Sequence, residues 1–175
     1  KMIVVACNTV SSLALDYIKS KFDLPIIGVI EPGIHSAISI TKNKRVGVLG
    51  TNATIKSDAY GEGLRAANDQ IYVLSQACPL FVPLAEEGWV SGDVPTAIAT
   101  TYLEPIKRSN VDTLILGCTH YPLLKSILRQ VLGSNVSLVD SGEATAVGVE
   151  TVLSKNNIVS NENTGEIHCY VTDSR

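Results

Sequence analysis

Paired cysteines, long apolar runs and charge of one sign are what this sequence has least of. Its 175 residues carry 14 basic and 17 acidic side chains, a formal net charge of −3, and no polybasic block. That excludes the electrostatic footprint of a nucleic-acid binder. The longest apolar stretches, such as Leu114 to Gly117 with its flanks, fall far short of the roughly 20 residues that cross a bilayer. No signal-peptide pattern is present either. Four cysteines in a chain of this length are too sparse for a disulfide scaffold, and none forms a Cys-x-x-Cys pair of the kind that zinc sites use. What is there is 45% apolar and only 18% charged residues, the balance of a compact domain rather than of a disordered segment. The expectation is a cytoplasmic protein with free thiols and with neither nucleic-acid nor membrane partners.

Short runs rich in Val, Ile and Leu predict strands at 2–6, 26–30, 45–50, 70–75, 112–117, 136–139 and 166–171. Continuous rather than alternating apolarity predicts a parallel sheet covered on both faces. Helical patterns fill the intervals at 10–22, 33–41, 55–67, 95–108, 122–132 and 143–155. The fifth is the clearest. Pro122 fits a first helical turn, Leu123, Leu124, Ile127, Leu128, Val131 and Leu132 form an apolar stripe, and Gly133 ends it. The alternation predicts an α/β architecture. Turn signals at Glu31-Pro32-Gly33 and Val139-Asp140-Ser141-Gly142 divide the chain into a central α/β unit, 33–140, and two flanks, 1–32 and 141–175, that belong together in a first α/β domain. The chain opens within a predicted strand and stops at Thr172-Asp173-Ser174, which looks like a helix N-cap. It therefore reads as an internal piece of a larger protein.

One internal echo bears on chemistry. Ile3-Val4-Val5-Ala6-Cys7-Asn8-Thr9 and Leu114-Ile115-Leu116-Gly117-Cys118-Thr119-His120 are each a buried strand, a small residue, a cysteine and then amide, hydroxyl or imidazole side chains before a helix. Ligands of open α/β sheets bind at the carboxyl ends of strands, beside helix N-termini. A helix N-terminus favours thiolate over thiol, so both cysteines are expected to have lowered pKa values. His120, two residues after Cys118, is placed to manage its proton. Cys78 and Cys169 lie in apolar segments and read as packing residues. Two thiols at equivalent strand ends suit nucleophilic catalysis, a zinc site made with His120, or proton transfer on both faces of one carbon. Spacing alone does not choose among them.

Four segments and their order bring in a resemblance. Ala6-Cys7-Asn8-Thr9, Gly47 to Thr54, Cys78 to Gly88 and Gly117-Cys118-Thr119-His120-Tyr121-Pro122, with Val139 to Gly142, Thr145 and Ala146, resemble the motifs of the glutamate racemases. These belong to the aspartate/glutamate racemases. The resemblance runs from residue 2 to about residue 172. It implies two α/β domains, each a parallel sheet flanked by helices, and cofactor-independent interconversion of L- and D-glutamate for peptidoglycan synthesis. Cys7 and Cys118 would be the acid/base pair, Cys7 acting on the D-enantiomer and Cys118 on the L-enantiomer. His120 would assist Cys118, and Glu86, in competition with Glu87, would assist proton transfer or hold the ammonium group. Asn8, Thr9, Thr51, Thr54 and Thr119 would hydrogen-bond the substrate, although threonines also cap helices. The partner implied is the small-molecule substrate, with a homodimer as the family's frequent assembly; no metal or cofactor is implied. His120 also separates the chain from the aspartate racemases, which usually have an acidic residue there. An aspartate racemase and a non-catalytic binding relative are the alternatives. The family's opening Asp-Ser-Gly strand and Pro-Tyr-Gly segment do not precede Lys1, and a short C-terminal helix is expected beyond the last residue.

Overall fold

The computed structural model describes residues 1–160 and 165–172. Among them the strands are β1 (Ile3–Val5), β2 (Ile26–Gly28), β3 (Arg45–Gly50), β4 (Tyr72–Ala77), β5 (Thr113–Gly117) and β6 (Ser137–Asp140). β1 and β2 form a two-stranded parallel sheet, and the other four form a parallel sheet in the order β4-β3-β5-β6. The helices are α1 (Asn8–Leu13), α2 (Leu15–Lys19), α3 (Ile30–Ile40), α4 (Asn52–Ser57), α5 (Ala59–Ala67), α6 (Phe81–Glu86), α7 (Asp93–Arg108), α8 (Lys125–Leu132) and α9 (Ser141–Lys155), with a 3₁₀ turn at Tyr121–Leu124. The expected α/β class, with parallel strands flanked by helices, is what the chain adopts.

The four-stranded sheet is covered on both faces. Successive side chains of a strand point to opposite sides, so Val46 and Val48 of β3 and Ile115 of β5 meet Ile34, Ala37, Tyr60 and Leu64 from α3 and α5. Leu49, Leu114 and Leu116 face the other way, onto Phe81, Leu84, Leu103, Ile106, Ile127 and Leu128 from α6, α7 and α8. Burying each of the Val, Leu, Ile and Phe side chains among them contributes about 1.5–3 kcal/mol. Lys125 at the start of α8 reaches Asp140 at 2.7 Å and Glu143 at 2.8 Å, tying α8 to the end of β6 and the start of α9. Asp140 in turn caps α9, its Oδ1 accepting from the backbone N–H of Gly142 at 2.8 Å.

Several expectations need correction. Glu31-Pro32-Gly33 is the first part of α3, not a turn before it. Pro32 falls in the first turn, where a missing N–H costs nothing, and Gly33 brings α3 against Tyr60, which an added Cβ would meet at 3.2 Å. Leu123 leaves the apolar stripe and is 60% exposed, because the first turn of that segment is 3₁₀ and rotates the side chain outward. The strand expected at 166–171 does not form: Ile167 and Tyr170 are each 91% exposed, and no strand lies beside them among the described residues. Cys169, expected to pack inside it, is exposed. The helix cap expected at Thr172-Asp173-Ser174 falls largely on residues 173–174, outside the described residues. α6 was not foreseen at all. No helix among the described residues is long and apolar enough to cross a membrane.

Candidate active site

The strand order locates the site before any side chain is considered. From β3 the chain goes outward to β4, then crosses back to place β5 on the other side of β3. The crevice at the carboxyl ends of β3 and β5 is thus the topological switch point, the position where open α/β sheets bind ligands. Thr51 follows β3 there and Cys118 follows β5. Gly117, just before Cys118, is required by close packing: a Cβ on it would come within 2.6 Å of the Leu49 carbonyl oxygen on β3. Its φ is not positive, so no left-handed backbone conformation calls for the glycine.

The second thiol arrives from the other sheet. Cys7 is the exposed N-cap of α1, directly after β1. Thr9 in the first turn of α1 bonds Thr51 at 2.9 Å and Thr54 at 3.1 Å, and the last two are 3.1 Å apart. Three threonine hydroxyls therefore converge where the end of β1 meets the end of β3. Thr51 also caps α4, accepting from the Thr54 N–H at 3.2 Å. Asn8 is buried and donates through Nδ2 to the Tyr60 hydroxyl at 2.8 Å. Its Oδ1 is buried without a hydrogen-bond partner. Thr119 is exposed on the turn after Cys118.

His120 and Glu86 stand behind Cys118. His120 Nδ1 lies 3.8 Å from the Cys118 Sγ, and His120 Nε2 lies 3.5 Å from the Glu86 carboxylate. One ring nitrogen thus faces the thiol and the other the carboxylate. α6 makes this possible: Phe81 packs edge-to-face on Tyr121, with ring centroids 5.3 Å apart, and so seats α6 beside the Cys118–His120 turn. Glu87 instead borders an apolar hollow with Leu80, Trp89 and Ile98, away from His120. Geometry thus separates two adjacent glutamates that the sequence does not.

The electrostatics of Cys118 differ from expectation. Burial pushes its thiol above the ordinary range, the charge of nearby Cys7 raises it further, and the backbone N–H groups of His120 and Tyr121 only partly offset these effects. A lowered pKa was expected from a helix N-terminus, but a short 3₁₀ turn follows Cys118 and desolvation wins. Cys78 is fully buried and its thiol is pushed well upward by burial, as suits a packing residue. Among the described residues no group of three or more His, Cys, Asp or Glu is placed to hold a metal ion. A cavity of about 640 Å³ between β2, α3 and α9 contains none of the site residues. Sequence reasoning missed Tyr60 and Ser141, both of which bond Asn8. Ser141 stood in a motif already singled out, whereas Tyr60 carried no signal.

With this geometry in view, comparison with known proteins is informative. The Asp/Glu/Hydantoin racemase family model matches residues 1–149. Glutamate racemases of Geobacter metallireducens and Aquifex aeolicus are 45% and 48% identical over 99% and 98% of this chain. The solved glutamate racemase of Francisella tularensis, in complex with D-glutamate, superimposes with a TM-score of 0.87 at 35% identity, over 93% of this chain and 60% of that one. The chain spans 64% of the length of each of the two curated relatives. Two strand-end thiols beside a switch point, and a family match over most of the sequence, lead to one conclusion: the chain belongs to the Asp/Glu/hydantoin racemase family.

Proposed function

We propose that this chain carries the two-thiol active site of a glutamate racemase, which interconverts L- and D-glutamate without a cofactor and supplies D-glutamate for peptidoglycan. The observation that carries the reading is the pair of thiols at the carboxyl ends of strands from two different sheets, Cys7 after β1 and Cys118 after β5, with the Thr9–Thr51–Thr54 hydroxyls joining the ends of β1 and β3. Such a pair suits proton transfer at one carbon from opposite sides. One thiolate removes the α-proton, the C–H electron pair passes into the adjacent carboxylate as an enediolate, and the opposing thiol returns a proton to the other face. The two sulfurs end with exchanged protonation states, ready for the reverse reaction.

Each remaining residue has a role in this scheme. His120, polarised by Glu86, accepts the Cys118 proton and offsets the burial that favours the thiol. The hydroxyls of Thr9, Thr51 and Thr54, with Thr119, are donors for the substrate carboxylates and for the charge that develops in the enediolate. The Asn8 carboxamide is not free to join them, since its N–H groups go to Tyr60 and Ser141. Glutamate is the substrate named in the Francisella complex and the curated relatives bear its name, which favours it over aspartate. The division into a central unit at 33–140 and a first domain built from both flanks belongs to this proposal. A homodimer rests on the resemblance, and a cytoplasmic location on the composition and cysteine usage of the sequence.

The test is incubation of the full-length gene product with each enantiomer of glutamate in D2O, following α-proton exchange and optical rotation together. Exchange with inversion, lost in Cys7→Ser and Cys118→Ser, is the expected result. A folded, reduced protein that exchanges nothing, or that inverts aspartate in place of glutamate, would sink the reading.

A further inference from the structure

Asn8 sits beside Cys7, and the way it is held is unusual. Its carboxamide nitrogen donates to two hydroxyls, Tyr60 Oη at 2.8 Å and Ser141 Oγ at 3.3 Å. Ser141 donates its own proton to the Leu116 carbonyl at 3.1 Å, so its oxygen meets Asn8 as an acceptor, while Tyr60 Oη lies 3.5 Å from the Val29 carbonyl. Ser141 thus favours the orientation of the amide that turns Nδ2 toward both hydroxyls. The same orientation leaves Oδ1 buried and unpaired.

Tyr60 itself has a built seat. A Cβ on Gly33 would lie 3.2 Å from its ring and hydroxyl, and a Cβ on Gly117 would lie 3.1 Å from its ring. Glycines on α3 and at the end of β5 thus make room for one aromatic ring. Burial, the dominant effect, holds the phenol well above its ordinary pKa, so it stays a protonated hydroxyl. The path from one thiol to the other is then continuous: Cys7, the adjacent Asn8, Ser141, and the Leu116 carbonyl two residues before Cys118.

We infer that Tyr60 and Ser141 are positioning residues that act through Asn8, locking its amide and holding the Cys7 turn against the strand that ends in Cys118. The inference rests on the two-thiol reading, because alignment of the sulfurs across one carbon is what such a lock would serve. Misplacing one thiol leaves the first proton abstraction possible but weakens delivery from the opposite face.

The experiment uses the full-length gene product with Tyr60→Phe, Ser141→Ala and the double substitution. Steady-state rates with both enantiomers are measured beside deuterium wash-in to the unconverted substrate. The double variant is expected to lose at least tenfold in kcat with KM changed less than threefold. Deuterium in the unconverted enantiomer, relative to inversion, should rise at least threefold, because protons removed by one thiol are returned from the same side. A kcat within twofold of the parent overturns the inference. So does a fall in kcat with an unchanged exchange-to-inversion ratio, the signature of a smaller folded fraction. If the parent racemises neither enantiomer, the racemase reading fails by itself. Hydrogen-exchange protection of the Asn8 side-chain amide then decides the lock: protection lost in the double variant supports it, and equal protection removes it.

Discussion

Cys118 is where local chemistry is most strained between opposing demands. In the proposed reaction its burial excludes water from a carbanion, and that same burial raises its pKa. His120 and Glu86 are the available counterweight. Replacing His120 by Gln removes the acceptor facing the thiol, so kcat with L-glutamate should fall about 100-fold, within the usual range for general acid–base groups. Glu86→Gln keeps the ring but loses its carboxylate, and a smaller loss of roughly tenfold is expected, as for a group acting one shell out. A Glu86→Gln kcat equal to the parent's would show that the 3.5 Å contact plays no part. Glu87→Gln, which faces away, is the control.

Elements depend on turns as much as on apolar faces, and Asp112 shows how. It lies just before β5 and accepts from Thr41 Oγ1 at 2.6 Å, the N–H groups of Lys42 and Asn43 at 2.7 and 2.8 Å, and Thr113 Oγ1 at 2.9 Å. One carboxylate thus fastens the end of α3 and the turn into β3 to the start of β5. Burial alone would raise its pKa, but these four donors outweigh it and hold the group below the usual carboxylate range. Asp112→Ala should therefore cost about 1 kcal/mol, the low end for such contacts because solvent reaches the group. A lowered folded pKa means the contribution is complete above the unfolded value of about 3.9 and is lost as pH falls through the folded one. Denaturant melts of parent and variant should accordingly differ at pH 7 and converge in acid; a gap that persists at low pH would assign the effect to packing. Apolar runs announced β3, β5 and α8, whose burial is continuous or periodic. They misled at 166–171, where the apolar segment has no neighbouring strand among the described residues, and they gave no sign of α6, a helix of 6 residues with Pro83 inside it. Cys7, Cys118 and His120 were readable because each follows a strand in a short motif. Tyr60 was not, because its role comes from Gly33 and Gly117, which are distant in sequence and meet only in the folded chain.

At the scale of the whole molecule, the two thiols stand on supports of unequal strength. Cys118 ends β5, whose residues from Thr113 to Gly117 are all buried at the centre of a four-stranded sheet. Cys7 ends β1, a strand of 3 residues of which only Val5 is buried, in a sheet of two strands. Leu13, Tyr17, Phe22 and Leu24 around that sheet are 45–65% exposed. Local opening is least costly where few apolar contacts must be broken, and two strands alone are a marginal unit. Amide hydrogen exchange on this 175-residue chain should therefore be slowest in β3 and β5 and at least 100-fold faster in β1 and β2. The Thr9–Thr51–Thr54 cluster and the Asn8 lock are the bonds that carry the weaker support onto the stronger one. A ligand that bridges the thiols binds only when both are in place and so stabilises the assembled state by mass action. Glutamate in excess should slow exchange in β1, β2 and α1 while leaving β3 and β5 nearly unchanged. Uniform protection across both sheets without ligand, or a glutamate effect confined to β3 and β5, would show that the Cys7 side is as firmly held as the Cys118 side.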